Sequence, residues 1–317
     1  MGTDFRLFDW EGNFLCNAGR WLSLDWELLY NDVGTFEGHF EPDSRVIDCV
    51  LDHPYLIAIH GDHQAIVTGY LAGEDFAVYG RALNWILTRN VLQPYAESSQ
   101  TVEAHARKMV GDTMAHVSNF ELGEVAGYSA VKNYATEEPG ELFGHVQDVL
   151  NLDGAGHMVR YDVATKKWIF KVLKGVTRDK ILSPAYNLYG QEVNYDMLDM
   201  YNAGWYEQEA PEPAEGEQKG DPVWTHIEGT RTGIYQFNTI LSGKTNTEAG
   251  VDLGKKTASK AYSAMLRGLD YGKDYALGDT LRMQFQIGKY RETIEKKVVG
   301  VNLSYTTHFE QQPILEG

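Results

Sequence analysis

LSLDWELLYNDVGTFEGHFE, residues 22–41, alternates apolar and polar side chains on both sides of a turn. Leu22, Leu24, Trp26 and Leu28 share one face, and Ser23, Asp25 and Glu27 share the other. A period of two is that of a β-strand buried on one side. Asn31-Asp32-Val33-Gly34 supplies turn residues, after which Phe36 and Phe40 resume the apolar face. The stretch therefore reads as a hairpin with one wet side.

The same signature continues on both sides. Gly61-Asp62 suits a two-residue hairpin loop, and Gly73-Glu74-Asp75 suits a second turn. Several short strands at close spacing predict a small sandwich or barrel. A short helix over 82–87 and then Pro94 close it. From Thr101 the period changes: Val102, Ala106, Met109, Val110, Met114 and Val117 recur at helical spacing, with Glu103 in the first turn. A second helix is expected from Pro139, carrying Leu142, Phe143, Val146, Val149 and Leu150 on one face and ending at Gly154-Ala155-Gly156. Residues 157–175 then read as a hairpin turning near Ala164-Thr165-Lys166.

Strands return after residue 179. The Tyr-rich stretch 185–207 reads as one or two strands, and 226–240 as further strand. Residues 203–222 are expected to hold a long acidic loop, since 207–222 is rich in Glu and Pro. Ala258, Tyr262, Met265, Leu266 and Leu269 predict a helix within 255–269. Leu281, Met283, Phe285 and Ile287 alternate with polar neighbours, and Gly288-Lys289 turns that strand into a hairpin. The expected fold is α+β and mainly β. A first small β-barrel domain (1–94) and a second (179–317) flank a mixed α/β domain (95–178).

Composition bounds the function. The formal net charge of -17 opposes a grip on nucleic acid, which depends on Lys and Arg neutralising phosphates. Cys16 and Cys49 form no CxxC or zinc spacing and imply no disulfide framework. There is no basic n-region with an apolar h-region at the N-terminus, and no apolar run of membrane-spanning length. Synthesis in a cytoplasm is the expectation. A myristoylation motif fails at Arg6, where Ser or Thr is needed.

Each chemical candidate meets a structural alternative. Asp270, Asp274 and Asp279 in DYGKDYALGDTLRM (270–283) do not fit an EF-hand loop. The economical reading is a helix end near Leu269, a left-handed cap at Gly272, and tight entry at Gly278-Asp279 into a strand from Thr280. His60 and His63 flank a hairpin turn with His53 nearby, but the sequence shows no third converging ligand. LSGKTN (241–246) lacks the first P-loop glycine and has no framing buried strand and helix. DGAGHM (153–158) precedes a strand, unlike a dinucleotide fingerprint. No nucleophile elbow is present. No catalytic, cofactor-binding or metal residue is assigned, no cofactor is expected, and the chain is expected not to be an enzyme.

Four stretches carry a resemblance: FRLFDWEGNFLCNAGRWLSLDWELLYNDVGTFEGHFEPDS (5–44), GYLAGEDFAVYGRALNWILTRNVLQP (69–94), ELFGHVQDVLNLDGAGHMVRYDVATKKWIFKVLKG (141–175) and YGKDYALGDTLRMQF (271–285). Together they resemble the tail-hub, or tail-tip, proteins of siphophages, which are similar to the baseplate hub of contractile-tailed phages. The resemblance implies a virion structural protein at the tail tip, built as a homotrimer in which two similar barrels per chain form a pseudo-sixfold ring. It implies a hexameric distal tail protein or tail tube on one side, and a threefold tip, fibre or receptor-binding protein on the other. The C-terminus of a tape measure protein is a further implied partner. DNA would pass through the lumen during ejection without specific binding, and no stable membrane insertion is implied. Lysin activity in such proteins sits in a C-terminal extension, and ending at Gly317 the chain is expected to lack one. Two other classes compete. A carbohydrate-binding adhesin would use the tyrosines and Trp205 and Trp224 on exposed loops. A cell-wall hydrolase would rest on the abundant carboxylates.

Overall fold

The computed structural model describes residues 5–18, 20–42, 44–208, 222–230 and 237–316. The chain opens with β1 (Phe5–Phe8), β2 (Phe14–Ala18), β3 (Ser23–Leu29), β4 (Thr35–Phe40), α1 (Arg45–Asp52), β5 (Ile57–His60), β6 (His63–Ala72) and β7 (Phe76–Ala82). A 3-10 turn (Leu83–Arg89) leads to β8 (Val91–Leu92), β9 (Tyr95–Thr101), α2 (Val102–Thr113), β10 (Phe120–Leu122) and β11 (Val131–Thr136). Then come β12 (Gly140–Glu141), α3 (Leu142–Asn151), β13 (Gly156–Asp162), β14 (Lys167–Leu173), β15 (Thr177–Leu182) and β16 (Leu188–Asp196). The last part holds β17 (Ala203–Gln208), β18 (Val223–Glu228), β19 (Asn238–Ile240), α4 (Asn246–Lys255), β20 (Ser259–Leu266), β21 (Thr280–Ile287), β22 (Tyr290–Tyr305) and β23 (Phe309–Leu315). The fold is α+β and mainly β. Among the described residues, no helix is long and apolar enough to cross a membrane.

The opening hairpin is β3–β4, with Trp26 opposite Phe36. Leu24, Trp26, Phe36 and Phe40 are buried, so the alternating face does enter a core. Gly61, in the left-handed region at φ 58°, turns β5 into β6 with His60 directly opposite His63. Helix α2 is capped by the Thr101 hydroxyl, which accepts from Ala104 N. Helix α3 starts at Leu142 rather than Pro139, because β12 intervenes and pairs with β8.

Two compact units emerge: one of residues 1–191 and 264–316, the other of 192–263. This differs from three consecutive domains. In the first unit, among the described residues, one sheet runs β15-β21-β22-β3-β4-β7-β6-β5-β1-β2, with β23 also on β22. Strands of the expected first and last domains thus share a sheet, joined where Trp26 faces Leu303 and Leu24 faces Tyr305. The pairing path ends at β15 and β2. The expected middle domain is not independent either. Phe8, Ile57, Ile59 and Ile66 lie in one core with Met109, Val146, Trp168 and Phe170. Pairings hundreds of residues apart leave no local trace in sequence.

Tyr30 ties these layers together. Its backbone N–H donates to Val299 O, its carbonyl accepts from His157 N, and its hydroxyl donates to Leu173 O at 2.9 Å. The side chain lies so close to Gly156 and Gly278 that a Cβ on either would come within 2.5 Å of the ring.

The second unit has β17 central, antiparallel to β18 and parallel to β19. Helix α4 packs on this sheet through Ala249 and Leu253 against Tyr206 and Leu241. Two expectations fail here. Residues 203–208 are strand rather than acidic loop, and residues 209–221 lie outside the described residues. The helix expected within 255–269 is instead α4, ending at Lys255, followed by strand β20. Ala264 and Leu266 are buried with Tyr262 half-buried, a period of two that a helical reading of the same residues obscured.

Candidate functional site

The sequence candidates resolve into three arrangements. The first is a pocket of about 510 Å³ in the first unit, lined by His60, His63, Arg160, Tyr271, Tyr305 and others. Strand pairing brings His60 and His63 together, while His53 bonds the Cys49 carbonyl at the end of α1 and does not join them. His63 Nε2 lies 2.9 Å from the Tyr305 hydroxyl. Burial, aided by neighbouring His60, pushes His63 down to about 4. Burial also pushes Tyr271 and Tyr305 up to about 12. All three are therefore neutral near pH 7, which suits packing and leaves neither a poised base nor a phenolate nucleophile. Among the described residues, no three His, Cys, Asp or Glu side chains converge as a metal site would need.

The second arrangement answers the aspartate cluster. Asp279 is only 2% exposed. Its carboxylate accepts from Val176 N and Ala276 N at 2.9 Å each and from Arg178 Nε at 2.6 Å. Thr280 N donates to Val176 O, just before the parallel β15–β21 ladder opens with Thr177 beside Thr280. Asp274 accepts from Asp270 N and closes the turn before it. Gly272 and Gly278 adopt φ 84° and 86°. The cluster is a strand-entry clamp, although what precedes it is β20 and a turn, not a helix. Glu103, singled out only for its place in a first helical turn, does similar work: its carboxylate accepts from Ala126 N, Gly127 N and Tyr128 N.

The third lies in the second unit. The GKT motif is the N-terminus of α4, with Gly243 at φ 107° and a capping box between Thr245 and Glu248. A helix therefore does frame it, but the preceding β19 is short, with Asn238 and Ile240 exposed. Glu248 Oε2 accepts from Lys244 N at 2.8 Å and Thr245 N at 3.2 Å, so a carboxylate occupies the place a phosphate would take. Trp205 and Trp224 stand on β17 and β18, not on loops. Glu207 opposes Trp224, and His226 opposes Trp205. Neither partner drew notice in the sequence, although W-x-E and W-x-H at strand period were the signal.

No protein-family model matches the sequence, and no curated protein matches it. Solved structures do. The 43 kDa tail protein of prophage MuSo2 from Shewanella oneidensis superposes with a TM-score of 0.58 at 11% identity, over 99% of this chain and 98% of that one. The chain has the fold of a prophage tail protein. The tail protein from Neisseria meningitidis MC58 gives 0.57 at 10% identity, covering 99% and 96% of the two chains. Prophage tail protein gp18 from Listeria monocytogenes EGD-e gives 0.57 at 10% identity, covering 99% and 94%. The likeness of fold thus extends over nearly the whole of this chain and of each of these three proteins.

Proposed function

We propose that this chain is a structural protein of a phage tail, and specifically a homotrimeric hub at the tail tip of a siphophage virion. The observation that carries the reading is the match of fold over nearly the full length of this chain and of three tail proteins. In this account the N-terminal and C-terminal strand sets act as two similar units per chain, so that three chains offer six to a hexameric distal tail protein or tail tube. The opposite face seats a tip, fibre or receptor-binding protein, with the tape measure C-terminus in the lumen. Exposed apolar side chains give such contacts material. Near the end of the β6–β7 hairpin, Leu71 and Tyr79 are exposed on one face and Tyr70 on the other, with Leu71 67% exposed. Tyr186, before β16, is 85% exposed. The chain charge of -17 suits a lumen that duplex DNA must traverse without sticking.

Light scattering on the purified chain at micromolar concentration tests the trimer. Three times the chain mass is expected, and a single copy at every concentration counts against it.

A further inference from the structure

The β17–β18–β19 sheet is covered by α4 on one face. On the other face strand pairing sets Trp205 beside His226 and Glu207 beside Trp224. The two indoles are 44% and 46% exposed. They stand on a cross-strand diagonal, which places such residues about 7–8 Å apart. The polar groups among them are already oriented. His226 Nε2 lies 2.8 Å from Asn238 Oδ1, and its ring is 4.8 Å from that of Trp205. Glu207 accepts from Lys244 Nζ at 2.8 Å.

We propose that this face binds a neutral saccharide. Half-bared indoles are rigid apolar planes with few torsions to freeze, suited to the C–H faces of a pyranose ring. A carboxylate, an amide and an imidazole beside them supply the few fixed donors and acceptors that orient hydroxyls. Size argues for a small ligand over a protein. A stable protein interface takes about 800 Å² and about 20–30 residues per partner, whereas among the described residues this face spans three strands, the longest of six residues. Charge argues for a neutral one: Lys244 compensates Glu207, and a chain of net charge -17 repels acidic polysaccharides. The surface is held rigid, because Tyr206 and Leu241 pin its back to α4. The proposal is independent of the hub reading.

The test is an array of immobilised neutral hexose and N-acetylhexosamine oligosaccharides, with acidic glycans alongside, probed with the full chain. Retention on neutral glycans is expected, weakened tenfold or more by Trp205→Ala and by Trp224→Ala and unchanged by Val125→Ala, an exposed side chain of the first unit. Circular dichroism and melting curves matching the parent show that each variant is folded. A single substitution on the same face, Glu207→Gln, provides a second reading that leaves both indoles in place and is expected to weaken retention several-fold. No retention on neutral glycans, retention on acidic glycans alone, or retention unchanged by both Trp substitutions overturns the proposal. So does a change confined to the oligomer mass, which would make the face a protein contact. A negative array result leaves the trimer measurement untouched, so the two readings fail separately.

Discussion

Asp279 shows what a buried charge does at a single position. Three donors surround it, and removing the carboxylate strands Arg178 and two backbone N–H groups. Asp279→Ala is expected to destabilise the protein by about 3 kcal/mol, the low end of the cost of breaking a buried pair because Arg178 is partly exposed. Exposed Asp270→Ala is expected to change stability by under about 0.5 kcal/mol. Urea midpoints distinguish the two. Histidines set the pH response with opposite signs. His63 is depressed from 6.5 to about 4, so its contribution is present above 6.5 and lost as pH falls toward 4. His39 is raised, chiefly by the hydrogen bond to Asp75 at 2.6 Å, with Glu37 at 3.0 Å adding to it. Its contribution is present below 6.5 and lost as pH rises through its folded value. Urea midpoints are expected to drop from pH 7 to pH 5 less in His63→Asn than in the parent. Across pH 6 to 8 they are expected to rise relative to the parent's trend in His39→Gln.

At the scale of elements, glycine context decides the sign of a substitution. Gly250 lies on the exposed side of α4 with open space around an added Cβ, so Gly250→Ala is expected to stabilise by about 0.5–1 kcal/mol. At Gly175 a Cβ would sit 1.7 Å from the Gly278 carbonyl oxygen, where β15 meets β21, so Gly175→Ala is expected to lower the melting temperature sharply. Thr245→Ala removes the α4 cap and is expected to cost about 1 kcal/mol. Thermal melts of the three variants check all three directions. These elements also show what the sequence made legible. Alternation placed β3, β4 and β21, and Gly61 and Gly288 placed their turns, because a period of two and a left-handed φ are local properties. Residues 258–269 went wrong because Tyr262, Ala264 and Leu266 satisfy a strand period while Tyr262, Met265, Leu266 and Leu269 satisfy a helical one. The capping box at Thr245 and Glu248 was the local signal that would have moved the helix to its place. The neighbours of Trp205 depend on pairing between strands more than a dozen residues apart, which one sequence does not state.

For the whole molecule, long-range pairing outweighs chain order. β22 holds β21 along its first half, and β3 and β23 along its second, so one sixteen-residue strand unites both termini of the first unit. In the proposed hub, load between neighbours would pass through this hydrogen-bonded sheet. Its charge predicts that the purified chain leaves duplex DNA unretarded in a mobility-shift gel at physiological salt, and a shifted band would contradict a non-adhesive lumen. The most direct measurement is a three-dimensional reconstruction of the distal tail end of a particle carrying this chain. The account predicts three copies around the tail axis, each fitting this fold, against a six-membered ring. A single copy, six copies, or density elsewhere on the particle would contradict it.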